Sequence, residues 1–174
     1  MNVILVDKND VQIGVMEKME AHQKALLHRA FSIFIFNDKE EMLLHKRSDK
    51  KYHSPGLWTN ACCSHPQPNE ETLESALNRL QMEMGFVTGL TEIFSFTYKA
   101  DFDNGLTEHE FDHVFVGHYN GDILPNTDEV SDYCFMSMEK ISASIQSHPH
   151  KYTEWFKIAF PKVEDYLALN SVGS

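Results

Sequence analysis

The alternation of apolar and polar positions along the chain marks out strands first and helices last. Asn2 to Asp7 is a β-prone run. Phe31 to Phe36 and Glu41 to Lys46 flank Asn37-Asp38, a pair suited to a turn, and so predict a hairpin. Before that hairpin, Val15 to His28 reads as helical or irregular. Between Glu70 and Met84 the apolar residues Leu73, Ala76, Leu77, Leu80 and Met84 recur at helical spacing, with Asn69 placed to cap the start and Gly85 to end the helix. Glu92 to Tyr98 and Phe111 to Tyr119 read as two more strands, joined by a polar loop containing Asp101, Asp103, Asn104 and Gly105. From Ser137 the period turns helical, and Pro161 is expected to start, kink or interrupt a helix running from about Tyr152 to Leu169. Elements mixed in this order predict a sheet with helices packed on its faces.

Composition narrows the possibilities. A chain of 174 residues with 42% hydrophobic content builds one core, so residues 1–174 are expected to form a single domain, with 171–174 as a flexible tail. Acidic residues outnumber basic ones 26 to 15, and a net charge of −11 repels a nucleic-acid backbone. The longest apolar run, Phe31 to Phe36, is far too short to span a bilayer, and the start of the chain carries no signal-peptide pattern. A cytoplasmic protein with no nucleic-acid or membrane partner is expected. Three cysteines, two of them adjacent, suit free thiols better than a disulfide framework.

Candidate chemistry collects in a few places. Histidine is frequent, at 10 residues, and His22, His28, His65 and His109 have the most suggestive surroundings. His65 follows Cys63 by two positions in Thr-Asn-Ala-Cys-Cys-Ser-His-Pro, a run of small and polar residues where side chains can converge on a ligand. Only one of Cys62 and Cys63 can face such a site, because adjacent side chains in an extended chain point opposite ways; Cys63 shares its face with His65. Glu108-His109-Glu110 opens a strand, which directs both carboxylates to one face and His109 to the other. The pair reads either as a solvated acidic edge or, since like charges on one face repel, as carboxylates brought together by a bound cation. The run from His45 to His53 concentrates Lys46, Arg47, Lys50 and Lys51 in an acidic chain and reads either as a solvated loop or as an anion site beside the Cys63 segment.

On the strongest helix, Ser64, Glu70, Leu80, Glu83, Gly85 and Phe86 fall on the frame of the Nudix box, which holds magnesium on glutamates. The box's first glycine is Ser64 here, its Arg-Glu pair is Asn78-Arg79, and the first of its paired glutamates is Met82. A Nudix hydrolase needs those carboxylates to hold the metals that activate water. This loss, together with Trp58-Thr-Asn-Ala-Cys-Cys-Ser-His-Pro66, Glu108-His109-Glu110, Glu17-Lys-Met-Glu-Ala-His22 and Leu27-His-Arg-Ala-Phe31, resembles the type I isopentenyl-diphosphate isomerases over nearly the whole chain.

The resemblance implies an α/β (α+β) Nudix fold, a mixed sheet sandwiched between helices. It implies Cys63 and Glu110 as catalytic acid/base groups, with Tyr98 and Trp155 completing the catalytic set and lining the prenyl pocket. Lys18, Arg47, Lys51 and Arg79 would bind the diphosphate of a prenyl diphosphate substrate. Glu83 would hold a magnesium ion shared with that diphosphate. His22, His28, His65, Glu108 and Glu110 would hold a second divalent ion, zinc, manganese or magnesium. The rival readings are a Nudix hydrolase of a nucleoside diphosphate derivative, and a silent binder of metal or prenyl diphosphate.

Overall fold

A computed structural model describes residues 1–51, 53–102 and 105–171. Asp103, Asn104 and most of the expected tail at 171–174 lie outside the described residues. The chain runs β1 (Asn2–Val6), β2 (Gln12–Glu17), α1 (Lys18–Gln23), β3 (His28–Phe36), β4 (Glu41–Arg47), β5 (Trp58–Thr59), β6 (Cys62–Ser64), α2 (Thr72–Met84), β7 (Leu90–Asp101), β8 (Thr107–His118), β9 (Val130–Ser137), α3 (Met138–Ser147), a 3-10 turn (Pro149–Lys151) and α4 (Glu154–Ser171).

The strands form one mixed sheet centred on β3. Its parallel partner is β8, in register from His28 opposite Glu110 to Phe36 opposite His118. β7 pairs antiparallel with the other edge of β8, and β6 pairs antiparallel with β3. Because β3 is covered on both faces, it reads as an almost continuous apolar run. Phe31, Ile33 and Ile35 pack with Ala76, Leu80 and Met84 of α2. Phe34 and Phe36 pack with Ile141 of α3 and with Phe156, Phe160 and Val163 of α4. Burying each such large side chain contributes roughly 1.5–3 kcal/mol, so the two clusters clamp the sheet between helices.

The hairpin of Phe31–Phe36 and Glu41–Lys46 is present, closed by Phe36 opposite Met42. Two expectations need correction, and one strand had none. Of Val15 to His28, expected to be helical or irregular, Lys18–Gln23 is helix, but Val15 to Glu17 is strand and His28 already belongs to β3. β2 is an edge strand with Ile13 and Val15 exposed, so burial does not impose an alternating pattern on it. β9 had no sequence signal because it runs along β4 with much of its surface open. Asn69 does not cap α2. The helix starts at Thr72, and Asn69 sits at φ 70° in the preceding turn, where the Gln67 N–H donates to the Glu70 carboxylate at 2.6 Å. Gly85 does end α2, in the left-handed conformation at φ 75°. Pro161 lies inside α4 and does not end it. No helix among the described residues is long and apolar enough to cross a membrane.

Candidate active and metal site

The site forms where the parallel strands β3 and β8 begin. Period-two geometry turns Glu108, Glu110 and Asp112 of β8 inward, and all three are buried. His109 points the other way and bonds the Ala25 carbonyl at 3.2 Å. Opposite Glu110, His28 opens β3; its Nδ1–H donates to the Leu26 carbonyl at 2.9 Å, which leaves Nε2 facing inward as a bare acceptor. The short helix α1 delivers His22, buried with neither ring nitrogen hydrogen-bonded. His65 follows β6, with Nε2 at 3.3 Å from the Glu110 carboxylate and Nδ1 unpartnered.

Ligand atoms of His22, His28, His65 and Glu110 all lie within 4.8 Å of one another. Burial and the neighbouring positive groups push His22 and His65 down to about 3, and His28 is lowered in the same way. The three imidazoles are therefore neutral at physiological pH, the form that binds a metal. Buried nitrogens without partners are costly, so the orphaned atoms His22 Nδ1 and Nε2, His28 Nε2 and His65 Nδ1 fit a divalent cation held among them.

Glu108 lies beside this cluster and makes a different set of bonds. Its Oε1 accepts from His53 Nε2 at 2.5 Å and its Oε2 from the Tyr98 hydroxyl at 2.9 Å. Burial opposes its charge, but these two partners outweigh burial and hold the carboxyl below its usual range. Burial and the charge of Glu108 raise Glu110 instead. The two carboxyls are thus pushed in opposite directions, Glu108 down and Glu110 up.

The cysteine pair is split by the pleat. Cys62 pairs opposite Ile33 and points into the α2 cluster, fully buried, where its thiol donates to Glu83 at 2.6 Å. Cys63 points to the other face and lines a cavity of about 240 Å³, its sulfur 3.1 Å from Asn60 Oδ1 and 3.5 Å from Ser32 Oγ. Burial, and then the charge of Asp112, push the Cys63 thiol up, so it stays protonated. The same cavity is lined by His65, Tyr98, Glu108, Glu110 and Trp155.

Four cations border it as well. Lys18 starts α1, and burial lowers its affinity for protons. Arg47 ends β4 and donates to the His53 carbonyl at 2.9 and 3.2 Å; its guanidinium lies 5.1 Å from the centre of the Trp155 ring. Lys51 pairs with Glu129 at 2.6 Å, and Arg79 of α2 with Glu83 at 2.7 Å. Of the basic run, Lys46 and Lys50 do not line the cavity, and Lys50 instead pairs with Asp128 at the surface. The cavity therefore joins a cationic region, a carboxylate and imidazole cluster, and an aromatic wall.

Several groups at the site were not anticipated. Asp112 was findable, being the next inward position after Glu108 and Glu110. His53 was not, because its loop gives no period; it bonds Glu108 and stacks on Trp155 with ring centres 5.5 Å apart. Asn60 lies inside the Trp58–Pro66 motif but was not picked out within it, and Ser32 and Glu129 carry no distinguishing sequence signal.

Residues 26–156 match the family model of the NUDIX domain. The chain is 48% identical to an isopentenyl-diphosphate Delta-isomerase of Pectobacterium atrosepticum, over 94% of this chain and 92% of that one. The chain belongs to this family. It is also 43% identical to isopentenyl-diphosphate Delta-isomerase 2 of Aromatoleum aromaticum, over 99% of this chain and 91% of the relative. Among solved structures, the MutT protein of Methanosarcina mazei shares the fold with a TM-score of 0.66 at 20% identity, covering 83% of this chain and 95% of that one. A Deinococcus radiodurans structure reaches 0.71 at 16% identity, covering 85% and 90%. In this chain Met82, which the Nudix frame places at the first of the box's paired glutamates, is exposed to solvent.

Proposed function

We propose that the protein interconverts isopentenyl diphosphate and dimethylallyl diphosphate by adding a proton at one carbon and removing one from another, with Cys63 and Glu110 as the acid/base pair. The observation that carries the reading is a single cavity of about 240 Å³ lined by a protonated thiol, a carboxyl of raised proton affinity and four cations.

Lys18, Arg47, Lys51 and Arg79 bind the diphosphate, and Glu83 would hold a magnesium ion that accompanies it. His22, His28, His65 and Glu110 would hold a second divalent ion, with Glu108 beside them as a further carboxylate; zinc or manganese would suit the imidazoles best, magnesium least. That ion, when bound, supplies positive charge that fixes Glu110 and lowers its proton affinity. Cys63 and Glu110 reach the alkene from opposite faces, and Tyr98 orients the carboxylate pair through its hydroxyl. Trp155 stabilises the tertiary cation that develops between the two proton transfers, a contribution of up to about 2 kcal/mol in a dry site. Met1 and the start of α4, both at the cavity wall, exclude water.

Incubation with isopentenyl diphosphate and magnesium, followed by proton and phosphorus NMR, tests this reading. Dimethylallyl diphosphate appears with the diphosphate resonances intact. Phosphate release without isomer overturns it in favour of hydrolysis, and binding without conversion in favour of a silent binder.

A further inference from the structure

A chain of buried polar groups runs from Cys63 to the helix that carries Trp155. Thr59, Asn60 and Thr153 each have no exposed surface, and nothing in the reaction as proposed uses them. The Asn60 amide is oriented by two donations from Nδ2, to the Ile33 carbonyl at 2.8 Å and the Cys62 carbonyl at 3.1 Å. Those bonds leave Oδ1 with two lone pairs to offer. One accepts from the Thr59 hydroxyl at 2.9 Å and the other from the Cys63 thiol at 3.1 Å. The Thr59 oxygen in turn accepts from the Thr153 hydroxyl at 3.1 Å, and the Thr153 oxygen accepts from the Phe156 N–H at 3.3 Å.

Every hydroxyl in this chain has one direction to donate. Thr153 precedes α4, and its acceptance from a first-turn N–H is the bond of an N-cap. The Thr153 N–H also donates to the Trp58 carbonyl at 3.0 Å, and Tyr152 bridges Trp58, so α4 is tied to the β5–β6 segment by backbone as well. Donors aligned in one sense polarise each other, and the sequence ends on the one remaining lone pair of Asn60, which faces the Cys63 sulfur. Ser32 is the only other acceptor within reach of that thiol among the bonds described, and it is further away, at 3.5 Å.

We propose that Asn60 is a positioning residue for Cys63, and that Thr59 and Thr153 link it to the N-cap of α4, so that one hydrogen-bonded chain sets both the thiol and Trp155. The inference rests on Cys63 being a proton-transfer group. Its consequence is that a hydroxyl buried away from the cavity governs kcat. None of the diphosphate-binding cations takes part in the chain, so KM moves less than kcat.

Thr153→Val keeps the shape and removes the donor; Thr153→Ser keeps the donor. The readouts are kcat and KM for isopentenyl diphosphate and, independently of turnover, the rate at which iodoacetamide modifies Cys63, read by peptide mass spectrometry. Thr153→Val lowers kcat about tenfold, with KM within about twofold, and changes the alkylation rate several-fold, the scale of one lost hydrogen bond. Thr153→Ser stays within about twofold of wild type in all three. Thr59→Val, which interrupts the chain at its other link, reproduces the Thr153→Val pattern. Wild-type kcat and alkylation in both valine variants overturn the inference, as does an equal loss in Thr153→Val and Thr153→Ser, or a change in melting temperature with neither readout moved. Full turnover by Cys63→Ala, by contrast, overturns the proposed chemistry itself and not the chain that positions the thiol.

Discussion

At the scale of single residues, the two adjacent cysteines separate cleanly. Cys63→Ala removes a proton-transfer group and lowers kcat roughly 10²–10⁴-fold while isopentenyl diphosphate still binds, measured by steady-state kinetics and by calorimetry with the variant. Cys62→Ala leaves that thiol in place and keeps turnover within about tenfold, but it removes the donor to Glu83 and so raises the magnesium concentration needed for half-maximal rate. A second residue-scale prediction concerns His45, which is buried and pushed down to about 4 by burial and by Arg47. The folded protein keeps it neutral, whereas the unfolded chain takes up a proton near pH 6.5. The stability associated with it is therefore complete above pH 6.5 and is lost as pH falls from 6.5 to about 4, an effect on the order of 3 kcal/mol. Unfolding curves of His45→Gln, taken across that window, have a slope shallower by about one proton than wild type.

At the scale of elements, the position of each functional group follows from strand pleat and helix termination. β8 could be read from its alternation, and that reading placed Glu108 and Glu110 on one face and His109 on the other. It could not say that His53, from a loop with no period, takes one oxygen of Glu108, because loop contacts are set by tertiary packing. The split of Cys62 from Cys63 was legible only as a choice between two faces; pairing with β3 decides which face is which. β2 and β9 escaped because edge strands need not alternate, whereas β3 and α2, covered by neighbours, were plain. The end of α2 supplies a prediction. At Gly85 an added side chain would meet both a left-handed φ of 75° and the backbone carbonyl of Leu124. Gly85→Ala costs about 1–2 kcal/mol for the backbone conformation alone and more for the clash, so the melting temperature falls by at least roughly 3–6 °C. Because α2 carries Arg79 and Glu83, the same variant raises the KM for the diphosphate more than it lowers kcat.

At the scale of the whole molecule, the fold brings His22, His28 and His65 from three separate segments to one carboxylate, and the unpaired nitrogens there couple metal binding to folding. Protein stripped by a chelator is inactive and melts lower. A divalent ion at about a hundredfold its dissociation constant restores roughly 2.7 kcal/mol, seen as a rise of roughly 5–10 °C in calorimetry. Magnesium alone does not restore both stability and activity, while zinc or manganese added with magnesium does. The central claim, that this Nudix fold moves protons and leaves the diphosphate uncut, is tested most directly by following isopentenyl diphosphate in heavy water by NMR. The account predicts dimethylallyl diphosphate with solvent deuterium in its new methyl group and unchanged phosphorus resonances. Loss of the diphosphate signals, or isomer formed without deuterium, would contradict it.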